Sequence, residues 1–209
     1  MRIRNLWQLP AVALLALSVQ GGCILMPEVV DRIVELAVSG TVTEQLDAVG
    51  VVNTHDDRDT VDVRGELDLA AVLEEADIDV SKVKDIKVQG ATYRTVRLDP
   101  QATREIQNGT VTVRRIGGPE EVLISNFNAK VNEVTTARTA QLNAAGVGVV
   151  NTLIGQLLDE LKGGPSAGDA RLIYHVTGTS VPAGVATDFT WELKLVVSIV
   201  GEVEVEVVE

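Results

Sequence analysis

Residues 189–208, FTWELKLVVSIVGEVEVEVV, alternate apolar and polar side chains along most of their length. Phe189, Trp191, Leu193, Leu195 and Val197 fall on one side, and Thr190, Glu192 and Lys194 on the other. After Gly201, which separates two runs, Val203, Val205 and Val207 alternate with Glu202, Glu204 and Glu206. A period of two is the signature of a strand, because successive side chains leave a pleated backbone on opposite faces. One apolar and one polar face describe a strand of an antiparallel sheet packed on a core from one side. The acidic face after Gly201 suits an exposed strand whose charges discourage edge-to-edge association.

The same alternation recurs upstream. RLIYHVTGTS (171–180) sets Leu172, Tyr174 and Val176 against Arg171, Ile173 and His175, and PAG (182–184) turns the chain. Residues 110–116 alternate, GGP (117–119) makes a turn, and EEVLISNF (120–127) reads as the return strand of a hairpin. Residues 86–98 read as a long strand with an irregularity near Gly90, since Val88 and Tyr93 differ in parity as a bulge allows. TVDVRGELD (60–68) reads as a half-buried strand behind a polar loop at 53–58, and residues 41–52 fit a strand or a helix. Helical spacing of three and four marks 149–161, where Val150, Leu153, Ile154, Leu157, Leu158 and Leu161 form a stripe ended by Gly163–Gly164–Pro165. Shorter helices are expected at 27–38, 69–78 and, from composition, 128–145.

Many antiparallel strands with one or two packed amphipathic helices predict a mainly β protein with some α. An antiparallel β-sandwich is the first expectation, and an α+β sheet with a helix on one face the second. There is no internal repeat and no linker, so residues 23–209 are expected to form one domain. A membrane β-barrel fits poorly, because six aromatic residues in the whole chain cannot build interfacial girdles.

The N-terminus carries an address. Arg2 and Arg4 precede a short apolar run at 11–19, which is too short to span a bilayer, and small residues follow. Gln20, Gly21, Gly22 and Cys23 close the segment, and Cys23 is the single cysteine of the chain. This resembles the lipobox of bacterial lipoproteins, although Gln20 stands where that family usually has an aliphatic residue. The resemblance implies removal of residues 1–22, lipidation of Cys23 and anchoring to a membrane of the cell envelope. Ile24 in place of aspartate would favour the outer membrane of a Gram-negative cell. With one cysteine no disulfide can form within the chain, so the exported domain must rest on its hydrophobic core.

Arg2 and Arg4 are two of 18 basic residues, so residues 23–209 hold 16 basic against 30 acidic groups, a net −14. Such a chain repels nucleic acid and anionic head groups, and no nucleic-acid partner is expected. Aromatic residues make up only 3% of the chain, which argues against an aromatic stacking platform for sugars or bases.

Candidate chemistry is sparse. Asp56, Asp57, Asp59 and Asp62 are carboxylates that could serve calcium, but they lack the spacing of an EF-hand loop and read better as solvated. His55 and His175 are too few for a three-ligand zinc site, and no nucleophile elbow is present. No catalytic residue, metal or cofactor is therefore assigned. The expectation is a non-enzymatic, membrane-anchored envelope protein with a structural role or an envelope protein partner, marked by an exposed apolar patch with no deep pocket, and the 149–161 stripe is expected first to pack into the core. The alternative is a binder of a lipid or other apolar ligand, marked by an apolar cavity between the sheet and the 149–161 helix. A third reading, an enzyme on a sandwich, would require convergent carboxylates in a cleft.

Overall fold

The alternating C-terminal run becomes strand β8 (Asp188–Val205), which has antiparallel partners on both sides. The computed structural model describes residues 32–205. On one side β8 pairs with β1 (Arg32–Val49) in unbroken register, from Arg32 opposite Val205 to Val49 opposite Asp188. On the other it pairs with β3 (Val83–Arg97), which in turn pairs with the short β6 (Arg138–Ala140). The second sheet holds β2 (Thr54–Asp62), β7 (Arg171–Val181), β4 (Glu105–Arg115) and β5 (Glu121–Lys130). The strand orders are β1-β8-β3-β6 and β2-β7-β4-β5, and every pairing is antiparallel.

These orders have a simple origin. Strands one and eight, two and seven, three and six, and four and five are opposed, as in one long nested hairpin. Rolling that hairpin brings β8 beside β3 and β7 beside β4, giving the two sheets of a jelly roll. The expected antiparallel sandwich is therefore present. The β1–β2, β3–β4, β5–β6 and β7–β8 connections all cross between the sheets at one end. The opposite end carries the helices: α1 (Val63–Leu67) and α2 (Leu69–Glu75) between β2 and β3, and α3 (Ala144–Leu161) between β6 and β7.

Several local expectations are corrected. Residues 32–38 of the expected 27–38 helix are strand; residues 27–31 lie outside the described residues, as do Cys23 and the segment before it. VELAV fits either period, and an 18-residue pairing partner decides for strand. Residues 54–58 are strand rather than loop, because β7 supplies their backbone partners. The strand expected to run to residue 68 stops at Asp62, whose carboxylate accepts the Arg64 N–H at 3.2 Å and caps α1. Residues 128–145 contain the end of β5, a 3₁₀ turn at Val131–Glu133, β6 and only the start of α3. Gly201 does not break the last strand: it is buried and paired on both sides, so β8 is central rather than an edge up to that point. The irregularity expected in β3 is present as a register shift between Val88 and Gly90.

Helix α3 closes the sandwich at the side of β3, β4 and β5. Val150, Leu153, Ile154, Leu157 and Leu158 are buried, and together they stabilise the fold by on the order of 10 kcal/mol as an upper bound. The helix lies close to β5 because Gly146 has no side chain: a Cβ there would stand 2.5 Å from Leu123 Cα and 2.6 Å from the Val122 carbonyl oxygen. Gly148, two residues on and exposed on the outer face, meets nothing within 4 Å. Gly146→Ala is expected to destabilise the protein by about 1–3 kcal/mol through overpacking against backbone. Gly148→Ala in the same helix should instead stabilise it by about 0.5–1 kcal/mol. Thermal unfolding of the two variants, read side by side, checks the packing of α3 on β5.

Candidate binding cleft

The hydrophobic core is divided. One large cluster fills the space between the sheets and α3, and a smaller one, Ala48, Ile106, Ala129, Val131, Val134, Phe189 and Trp191, lies toward the loop end. Tyr93 and Phe127 pack against both. At this junction a cavity of about 210 Å³ opens between the sheets. One sheet contributes Leu46, Tyr93, Ala140, Trp191 and Leu193, and the other Val111, Ile124, Phe127, Tyr174 and Val176. The exposed Ser125, Asn126, Thr139 and Gln141 line it as well, which sets its mouth at the β5–β6 edge.

Local sequence explains the shape of the wall. Alternation turns Trp191 and Leu193 inward on β8, and Tyr174 and Val176 inward on β7. The bulge in β3 brings Tyr93 to the inner face. Phe127 lies over Gly109 of β4, where a Cβ would approach its ring to 2.3 Å, so glycine at 109 is what lets the ring lie down. Ring centroids of Trp191 stand 5.6 Å from Phe127, 5.4 Å from Phe189 and 6.3 Å from Tyr93. The indole N–H donates to Thr95 Oγ1 at 3.0 Å, so the polar edge of Trp191 is already satisfied. Every aromatic residue beyond Trp7 therefore belongs to this wall or to the cluster behind it. Sequence reasoning missed this: parity showed which rings face inward, but not that they align across two sheets.

Among the described residues no Lys, Arg or His lines the cavity. Its one carboxylate, Glu192, accepts Arg94 Nε at 2.7 Å and stands 3.7 Å from Lys194 Nζ. The hydrogen bond from Arg94 holds the Glu192 carboxyl below the ordinary glutamate range, and Lys194 adds to the effect. The stripe of α3 packs into the core, and the apolar cavity of the alternative reading lies between the two sheets rather than between sheet and helix.

Beside the small cluster, the loop end is tied together by a buried ion pair. Arg104 is 0% exposed and its Nε donates to Asp99 Oδ2 at 3.2 Å. Its remaining nitrogens donate to the carbonyls of Pro182 at 3.3 Å, Val185 at 3.1 Å and Ala186 at 2.8 Å. Asp99 also accepts the backbone N–H groups of Gln101 and Asp188. The β3–β4 and β7–β8 crossings are thereby joined, and the Gly50 and Thr187 N–H groups tie in the β1–β2 turn through the Thr187 and Val51 carbonyls.

His55, expected in a solvated loop, is buried next to this pair. Its Nε2 lies 2.7 Å from Ser180 Oγ, and its Nδ1 3.6 Å from Asp57 Oδ2. The order serine, histidine, aspartate is that of a hydrolytic triad, but Ser180 is 0% exposed and does not line the cleft. A nucleophile needs substrate within reach, so this cluster reads as a hydrogen-bonded core histidine. Burial pushes the His55 pKa down, opposed by Asp57 and assisted by Arg104. His175 stands on the outer face, with Nε2 at 2.6 Å from Asp56 and Nδ1 at 2.9 Å from Glu120.

The four calcium candidates do not converge. Asp56 faces out toward His175, Asp57 leans to His55, Asp59 accepts its neighbour's N–H from Thr60, and Asp62 caps α1. Among the described residues no group of three or more His, Cys, Asp or Glu is placed to hold a metal ion. No described helix is long and apolar enough to cross a membrane.

No protein-family model and no curated protein matches the chain. Among solved structures it is similar to a chain of Desmodium yellow mottle tymovirus, with 10% identity and a TM-score of 0.35 over 97% of this chain and 100% of that one. It is also similar to the BFDV capsid protein in a decamer, with 12% identity and a TM-score of 0.32 over 80% and 99% of the chains. A chain of turnip yellow mosaic virus gives 9% identity and a TM-score of 0.26 over 83% and 98%. TM-scores this low do not establish a common topology, and the strand order stands on its own hydrogen bonding.

Two outcomes follow for the loop end. Asp99→Ala strands a buried guanidinium and is expected to cost about 3–5 kcal/mol in denaturant unfolding. The lowered pKa of His55 means that the unfolded chain binds the extra proton first as pH falls below the ordinary value of 6.5. Stability should therefore be full above that pH and decline below it toward the folded-state pKa. His55→Gln, which keeps a group for Ser180 but does not titrate, should flatten the decline in melting temperature between pH 7 and pH 5, a window set by the histidine range.

Proposed function

We propose that this chain is an exported lipoprotein anchored through Cys23, and that its jelly roll is a non-enzymatic binding module of the cell envelope. The observation that carries the binding role is the aromatic-walled cleft between the sheets. Interiors are packed to the density of organic crystals, so an open apolar cleft of this size is a construction rather than slack. Burial of Ser180 and His55 supports the non-enzymatic part. The anchor rests on the resemblance of residues 20–23 to a lipobox. The strand nearest to Cys23 in sequence starts at the helix end, and β1 then runs 18 residues, about 60 Å if straight, to the loop end.

A protein partner is the second reading, and one observation favours it. The loop-end segments carry exposed apolar residues: Val49 is 62% accessible and Leu98 52%, with Val52 and Val185 also exposed. Arg104 holds the Val185 carbonyl, and Gly50 and Val51 are hydrogen-bonded to Thr187 beside it.

Gentle detergent extraction from native membranes, followed by native mass spectrometry beside a Cys23→Ala control, tests both. The expected result is acyl mass on the wild type, its loss in the control, and a small non-covalent ligand on the wild type. An unmodified Cys23 would overturn the anchor. A stoichiometric protein partner with no small ligand would move the function from the cleft to the loop end.

A further inference from the structure

We infer that the cleft takes an uncharged molecule with a single apolar ring and one hydrogen-bonding end, of the phenol or indole class. This rests on the reading of the cleft as a binding site. Size sets the first limit. A volume of about 210 Å³ exceeds the roughly 150 Å³ cavity that holds benzene, and it falls short of the roughly 300–1,000 Å³ typical of larger ligands. One substituted ring fits, and a pair of acyl chains does not.

Charge sets the second. The cleft has no cation, its one carboxylate is Glu192, and the whole chain carries a net charge of −12. An anionic ligand would leave water for a wall that offers it no counter-charge. The distribution of polar groups sets the third. Val111, Ile124 and Val176 form an apolar floor, Tyr93, Tyr174 and the Arg94-bonded Glu192 add polar groups to the wall, and the exposed Ser125, Asn126, Thr139 and Gln141 stand at the mouth. A pyranose carries hydroxyls around its whole rim, and several would be buried against that floor without partners. A phenol or indole meets the floor and the aromatic faces with its ring, and turns one hydroxyl or N–H to the mouth.

Calorimetric titration of the intact protein with p-cresol, indole, benzoate and glucose tests the assignment, alongside Ala140→Phe and Leu46→Phe, each of which fills the cleft from a different strand. Thermal unfolding establishes which variants are folded. The expected result is 1:1 binding of p-cresol and indole with a raised melting temperature, about tenfold or weaker binding of benzoate and glucose, and loss of binding in the folded variants. Glucose binding better than p-cresol would overturn the ligand class while leaving the cleft a binding site. Benzoate binding as well as p-cresol would overturn the charge argument. Binding untouched in folded variants would move the ligand elsewhere. If none of the four binds and the filled variants melt higher than wild type, the cleft is a packing gap, and the binding reading falls with the ligand class.

Discussion

The buried Arg104–Asp99 pair is the constraint on which the rest of the arrangement depends. It joins the β3–β4 and β7–β8 crossings, the two connections through which the central strands of one sheet continue into those of the other. A guanidinium with no exposure must place its donors, and here they meet one carboxylate and three loop carbonyls. Removing such a pair from water is costly, so its net contribution to stability is small. What it supplies is position: the two sheets are held at a set separation at the loop end, beside the cluster of Ile106, Phe189 and Trp191.

At the other end the separation is set by the packing of α3, with hydrogen bonds from Val88 N–H to Asn151 and from Arg115 to Gln156 at its margins. Helix α3 lies against β3, β4 and β5 with a mainly apolar inner face, and Gly146 brings it to backbone contact with β5. The cleft lies between these two closures, where neither the loop knot nor α3 fills the space. Tyr93 and Phe127 are the residues that touch both halves of the core, and they form part of its wall. Its shape is thus a consequence of how the roll is closed twice, by a buried ion pair at one end and mainly by apolar burial at the other.

The outer surface shows the acidic excess used locally. Arg97 bonds both Asp47 and Asp188, and Thr190 also donates to Asp47, which links β1, β3 and β8 across the outer face of their sheet. These hydrogen bonds, first that from Thr190 and then that from Arg97, hold the Asp47 carboxyl below its ordinary range. The groups are exposed, so they set the order of side chains on the surface more than they add to stability.

Much of the fold was legible in local pattern. The alternation in 171–180 and 189–197, the hairpin around 117–119, the parity change near Gly90 and the stripe of 149–161 each report a periodicity that a strand, turn, bulge or helix imposes on its own residues. The fold class follows from them, and so does the absence of a disulfide, from one cysteine. What local pattern cannot carry is pairing over distance. Residues 32–38 are strand because β8 lies beside them across more than 150 positions of chain, and residues 54–58 are strand because β7 does. His55 is buried by Phe189 and Ser180, both far away in sequence. The cleft is the extreme case: Tyr93, Phe127, Tyr174 and Trp191 are scattered over four strands, and only the rolling of the hairpin brings their rings around one space. Periodicity is a property of neighbours along the chain, so the sequence by itself determined the well-patterned strands, such as 171–180 and 189–197, and their inner faces. Strand order is a property of the closed sheets, and it alone decided which inner faces meet.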